Sequence, residues 1–118
     1  MKIQSVGQVQ LQVHTDAIDS ETMYSLTREC ERLAASLDGA LEVRFEEGDD
    51  EGKYLNIVFD SHSPQELWPR INAALFLSQI YGPALQANSM ALRTGEDGWN
   101  DYILLFHFDP SVPVEITQ

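Results

Sequence analysis

Histidine and carboxylate side chains are the groups best suited to move protons or hold metals near neutral pH. This chain sets them side by side three times, as His14 with Asp16, Asp60 with His62, and His107 with Asp109. Each pair falls where a strand-like segment ends. A working site needs such groups within about 4 Å of one another, so the order of strands decides what the pairs can do. In a four-stranded sheet of the plan described below, His62 and His107 share one side and His14 lies on the other. An extra hairpin would reverse the last strand and carry His107 to His14 instead. At most two of the three histidines converge either way, and isolated surface or capping histidines are the expectation. A small enzyme or a ligand- or metal-binding domain using Asp60, His62, His107 or Asp109 at a sheet edge is the alternative.

Other chemical signatures are missing from the chain. Cys30, the single cysteine, lies in an apolar helical stripe with no histidine near it in the pattern, so it reads as a small buried hydrophobe rather than a nucleophile. No G-x-S-x-G, Walker loop, G-x-G-x-x-G or H-E-x-x-H occurs. No catalytic residue, metal ligand or cofactor is assigned on these grounds.

Two segments are better suited to binding. Glu46, Glu47, Asp49, Asp50 and Glu51 pack five carboxylates into six positions, the strongest local negative field in the chain. The spacing lacks the alternating ligands and distant glutamate of a calcium loop, and a solvated hairpin tip is the simplest reading. In the second segment, Gly95 and Gly98 bracket Glu96 and Asp97 and deliver Trp99 just before the most hydrophobic strand. Trp99 is either an anchor for a partner or a ring folded over the core edge. The tentative partner surface is therefore Glu47, Asp49, Asp50, Glu51, Glu96, Asp97 and Trp99.

Bulk properties narrow the partner. Seven Lys and Arg against nineteen Asp and Glu give a formal net charge of −12, which repels nucleic acid and anionic headgroups and draws in basic surfaces. A protein partner with a basic face is expected, with a homodimer as another possibility, and neither nucleic acid nor a membrane. One cysteine cannot form an intrachain disulfide, and no apolar run is long enough to span a bilayer, so a reducing, cytoplasmic location is the expectation. The 118 residues suit one core, taken as a single domain over 1–118, because one core becomes efficient at roughly 100 to 150 residues.

The elements that must position these residues follow from hydrophobic period. Val9, Leu11 and Val13 alternate with glutamines, giving a strand within Ile3 to Val13. Met23, Leu26, Cys30, Leu33 and Leu37 recur at three and four, the stripe of a helix capped by Asp19 or Ser20 and ended by Gly39. Leu41, Val43 and Phe45, then Ile57 and Phe59 across the acidic turn, predict a hairpin. Ser63-Pro64-Gln65-Glu66 reads as a capping box opening a second helix, with Leu67, Ile71, Ala74 and Leu75 inward and Gly82-Pro83 as its stop. Trp68, Phe76, Ile80 and Tyr81 widen its apolar face, as a broad core contact or as a partner surface. The last strand, Asp101 to Phe108, is apolar on both faces, which predicts a central strand or a subunit contact. An extra strand around Met90 to Arg93 is possible. This order resembles the ferredoxin-like βαββαβ plan: an α+β two-layer sandwich with two helices on one face of an antiparallel sheet. That superfold hosts many functions, so the resemblance implies architecture alone.

Overall fold

The structure, a computed structural model, describes residues 6–37 and 40–114. Strand β1 (Gly7–His14) carries the predicted alternation: Val9, Leu11 and Val13 are fully buried, and the polar residues between them point to the other face. After a 3₁₀ turn over Thr15–Ala17, helix α1 (Ser20–Ser36) buries Leu26, Cys30 and Leu33 along its stripe. Its N-cap is Asp19, whose carboxylate accepts hydrogen bonds from the Thr22 amide at 3.0 Å and the Thr22 hydroxyl at 2.7 Å. The glycine expected to end this helix, Gly39, lies outside the described residues, as does the chain before Val6.

Strands β2 (Ala40–Asp49) and β3 (Lys53–Ser61) form the predicted antiparallel hairpin, with Val43 opposite Phe59 and Phe45 opposite Ile57. A register shift between Ala40 and Glu42 leaves Leu41 half exposed rather than in the core. Strands β4 (Ser89–Gly95) and β5 (Gly98–His107) form a second hairpin, so the stretch around Met90 to Arg93 is a strand.

The second helix departs from expectation. Helix α2 (Pro64–Ile71) starts at Pro64, yet Ser63 makes no side-chain capping bond; the Ser63 amide instead donates to Ser61 Oγ at 2.9 Å. Pro69 sits inside the helix, where its ring supplies no N–H and crowds the preceding turn. The chain then widens into a π-helical turn over Asn72–Phe76 and leaves the helix at Leu77. Gly82-Pro83, expected as a stop, instead opens helix α3 (Gly82–Asn88), where proline is favoured at the first positions. The wide apolar face divides accordingly. Trp68 and Phe76 are buried edge-to-face at 5.3 Å, and Phe76 also meets Phe106 at 5.0 Å. Beyond the break, Leu77 and Ile80 stand 66% and 74% exposed.

The five strands form one antiparallel sheet in the order β2-β3-β1-β4-β5. Core residues of β1, β3 and β4 share a face, and they join those of all three helices in one hydrophobic cluster, an arrangement compatible with a two-layer sandwich. Strand β5 is thus an edge, contrary to the central position its apolar sequence suggested. The reason is a bulge: Leu105 is skipped between the pairs Ala91–Phe106 and Leu92–Leu104, and both Leu105 and Phe106 serve the helix-side core. Consecutive apolar residues here reflect a local irregularity of the ladder, and Tyr102 remains 56% exposed.

Candidate functional site

Four of the seven residues assigned to a partner surface lie at the β2–β3 hairpin. Its tip turns through Glu51, the one non-glycine residue with positive φ (56°) among those described, and the Asp50 amide donates to the Gly52 carbonyl at 3.0 Å. Asp16 pins the hairpin to the 3₁₀ turn that precedes α1 by accepting the Lys53 amide at 2.9 Å. Gly48 pairs across the ladder with Tyr54, whose ring occupies the space a side chain at Gly48 would need. Between this hairpin and the first turns of α1 opens a cavity of about 760 Å³. Ile18, Met23 and Leu55 give it apolar wall, Tyr24 and Tyr54 give it rings, and Glu47 and Asp49 stand among its lining. Arg28 Nη1 donates to the Tyr24 hydroxyl at 3.1 Å, with its guanidinium 5.7 Å from the ring centroid, so the exposed Tyr24 is held in place from outside. Lys53 lines the same cavity, and apolar wall together with carboxylates suits a lysine or arginine side chain, which buries its stem and keeps its charge wet.

The other three residues lie at the opposite end of the sheet. Asp101 accepts the Asp97 amide at 2.8 Å and closes the β4–β5 turn. Trp99 is 40% exposed, neither free nor folded into the core, and its Nε1 donates to Gln8 Oε1 at 2.8 Å. Gln8 in turn donates to Asp60 Oδ1 at 3.0 Å, and Arg44 Nη1 stands 3.6 Å from Asp60 Oδ2. This polar chain ties β5, β1, β3 and β2 together across the sheet. The ladder fixes the separation of the two groups: Tyr54, beside the acidic turn, pairs with His14 at one end of β1, while Ser61 pairs with Gly7 at the other. Glu47, Asp49, Asp50 and Glu51 therefore occupy one end of the sheet and Glu96, Asp97 and Trp99 the other, and they do not form one surface.

The histidine pairs disperse in the same way. The β4–β5 hairpin reverses the last strand, which brings His107 toward His14: Phe108 stacks on His107 at 4.5 Å and meets His14 edge-on at 5.4 Å. His62 lies just past Ser61, at the far end. The Asp60, His62, His107 and Asp109 gathering is thus not made, and the carboxylates have structural duties. Asp109 accepts both the amide and the hydroxyl of Ser111 and donates its own amide to His107 Nδ1, and the Ser111 bonds hold its carboxyl below the usual range. Among the described residues, no three His, Cys, Asp or Glu stand close enough to hold a metal ion. Cys30 is buried in the core, where desolvation pushes its thiol well above the ordinary value, so it is a packing residue as its stripe indicated.

Sequence reasoning missed the part α1 plays in the hairpin cavity. Met23 read only as a stripe residue and Ile18 was not singled out, because their partners across the cavity lie far away in the chain. Among the described residues no helix is long and apolar enough to cross a membrane. Comparison with known proteins finds no matching family model, no matching curated protein and no matching solved structure.

Proposed function

We propose that this chain is a protein-binding module whose working surface is the cavity between α1 and the β2–β3 hairpin, and that its occupant is a basic side chain or short basic segment of a protein partner. The observation that carries the reading is the apolar wall of Ile18, Met23 and Leu55 lying with Glu47 and Asp49 in one cavity of about 760 Å³. A net charge of −12 supports it by steering a basic partner toward any face of the molecule. An inhibitor, an immunity-type neutraliser and an assembly subunit all work in this way. Self-association is the other partner class; its support is β5, an edge strand with Tyr102 exposed. The ferredoxin-like plan belongs to the same reading: the order β2-β3-β1-β4 favours it, with β5 added beyond β4.

A photo-crosslinking residue in place of half-buried Thr27, which lines the cavity, tests the reading in native lysate at low and high salt. The same basic protein is expected to be trapped each time. Trapping should fall about tenfold in a Glu47→Gln, Asp49→Asn double variant and in high salt. Capture that ignores both changes, or that recovers only neutral or acidic proteins, overturns it.

A further inference from the structure

The sheet has two edges, and they are built differently. Strand β5 is irregular along its ladder: between the pairs Arg93–Ile103 and Gly95–Gly98 one residue of β4 faces residues 99–102 of β5, and Leu105 is bulged as well. Bulges blunt an edge against further pairing. Strand β2 is the opposite case. Over residues 42–49 it keeps eight consecutive pairs with β3, and among the described residues nothing pairs with its outer side. In an antiparallel ladder alternate residues send both N–H and C=O away from the neighbouring strand, so half of those positions present unpaired backbone groups in one line. Seven of the ten β2 residues are exposed, Leu41 and Phe45 among them.

The side chains along that edge choose its occupant. The register places Val43 and Phe45 on the helix side, opposite Phe59 and Ile57, with Glu47 and Asp49 further along the same face. Glu42, Arg44 and Glu46 take the open face, where Arg44 Nη1 stands 3.6 Å from Asp60 Oδ2 of β3. Four carboxylates against one arginine, itself turned to a carboxylate of the sheet, repel a second copy of a chain carrying −12 and attract a basic strand. We propose that β2 takes up a basic extended segment of a protein partner as a sixth, antiparallel strand, its cationic residues beside Glu42, Glu46 and Glu47 and its apolar residues beside Val43 and Phe45. Backbone hydrogen bonds supply the docking and alternate side chains the selectivity. The inference rests on the basic-partner reading above and adds the conformation in which that partner is held; Glu47 and Asp49, at the far end of β2, also line the hairpin cavity.

The capped hexapeptide Lys-Lys-Val-Thr-Val-Lys meets residues 47 down to 42 in that order and serves as the probe, titrated at low salt into the nitrogen-15-labelled whole chain. It is expected to bind at about 100 µM, to slow exchange at alternate β2 amides, and to show through-space contacts between its α-protons and those of β2. N-methylating both its first valine and its threonine keeps every side chain and removes whichever of the two neighbouring N–H groups faces β2. That peptide should bind at least about tenfold more weakly. Glu46→Lys, exposed and outside the hairpin cavity, should weaken the unmodified peptide about tenfold, whereas Glu66→Lys, the same change of net charge on exposed α2 surface, should weaken it less than about threefold. Equal losses in the two variants, binding that ignores N-methylation, no binding, or pairing of β2 with a second copy of the chain overturns the proposal. Shifts confined to the hairpin cavity, with capture from position 27 intact, overturn the added strand and leave the basic-partner reading standing.

Discussion

The carboxylate of Asp19 takes the Thr22 hydroxyl and amide together, and those two bonds, the hydroxyl's foremost, hold its pKa below the ordinary carboxylate value of 3.8. A lowered folded-state pKa means that the ionised form is favoured on folding. Its stabilising share is present above the unfolded value and is lost as pH falls through the folded one. Asp19→Ala should lower the thermal midpoint by a few degrees at neutral pH, and Asp19→Asn by less, because asparagine also caps. The Asp19→Ala deficit should shrink as pH drops below about 4; thermal melts from pH 7 downward check it, and a deficit that grows on acidification contradicts the assignment. The capping role of Asp19 was legible because it depends on residues three apart. The state of Arg93 was not: its Nε is buried with no hydrogen-bond partner among the described residues, which depends on what the folded chain brings within reach.

The segment between Pro64 and Asn88 shows how an element differs from its periodic pattern. Leu67, Ile71 and Leu75 are buried as the period requires, but the regular helix ends at Ile71, two residues after Pro69, and the π-helical turn ends at Phe76, whose carbonyl receives the Gln86 side-chain amide at 2.6 Å. Helix α3 seats against that carbonyl so closely that a Cβ on Gly82 would stand 2.5 Å from its oxygen. Gly82→Ala should therefore destabilise the fold by about 1–3 kcal/mol, the usual cost of overpacking against unyielding atoms. Ile80→Ala, two residues away and exposed, should be nearly silent. Denaturant titration of both variants decides the point, and equal midpoints would show that α3 is not seated there. The Gly-Pro dipeptide reads as the stop of the second helix, and it opens the third instead. Whether it stops one helix or starts the next depends on where the preceding helix has already ended.

At the scale of the whole molecule, nineteen acids stand against seven bases, so a large acidic excess remains however the bases are paired. Self-repulsion of that size opposes the compact state and is screened by salt. The melting midpoint should rise as sodium chloride increases from about 10 mM to about 200 mM, over which the screening length contracts from about 30 Å to below 10 Å. A flat or falling midpoint would mean that local pairs outweigh the net field. The sequence by itself determined the strand and helix periods, the buried stripe of α1, the β2–β3 hairpin in outline and the charge that any partner meets, because each depends on neighbours within a few residues or on composition; the β4–β5 hairpin it left open. Only the tertiary structure decided that β5 is an edge, that the acidic turn and Trp99 lie at opposite ends, that His62 and His107 stay apart, and that β2 is the other edge. Those outcomes depend on strand order and ladder register, which join residues distant in the chain, and a single bulge at Leu105 is enough to change what an apolar run means.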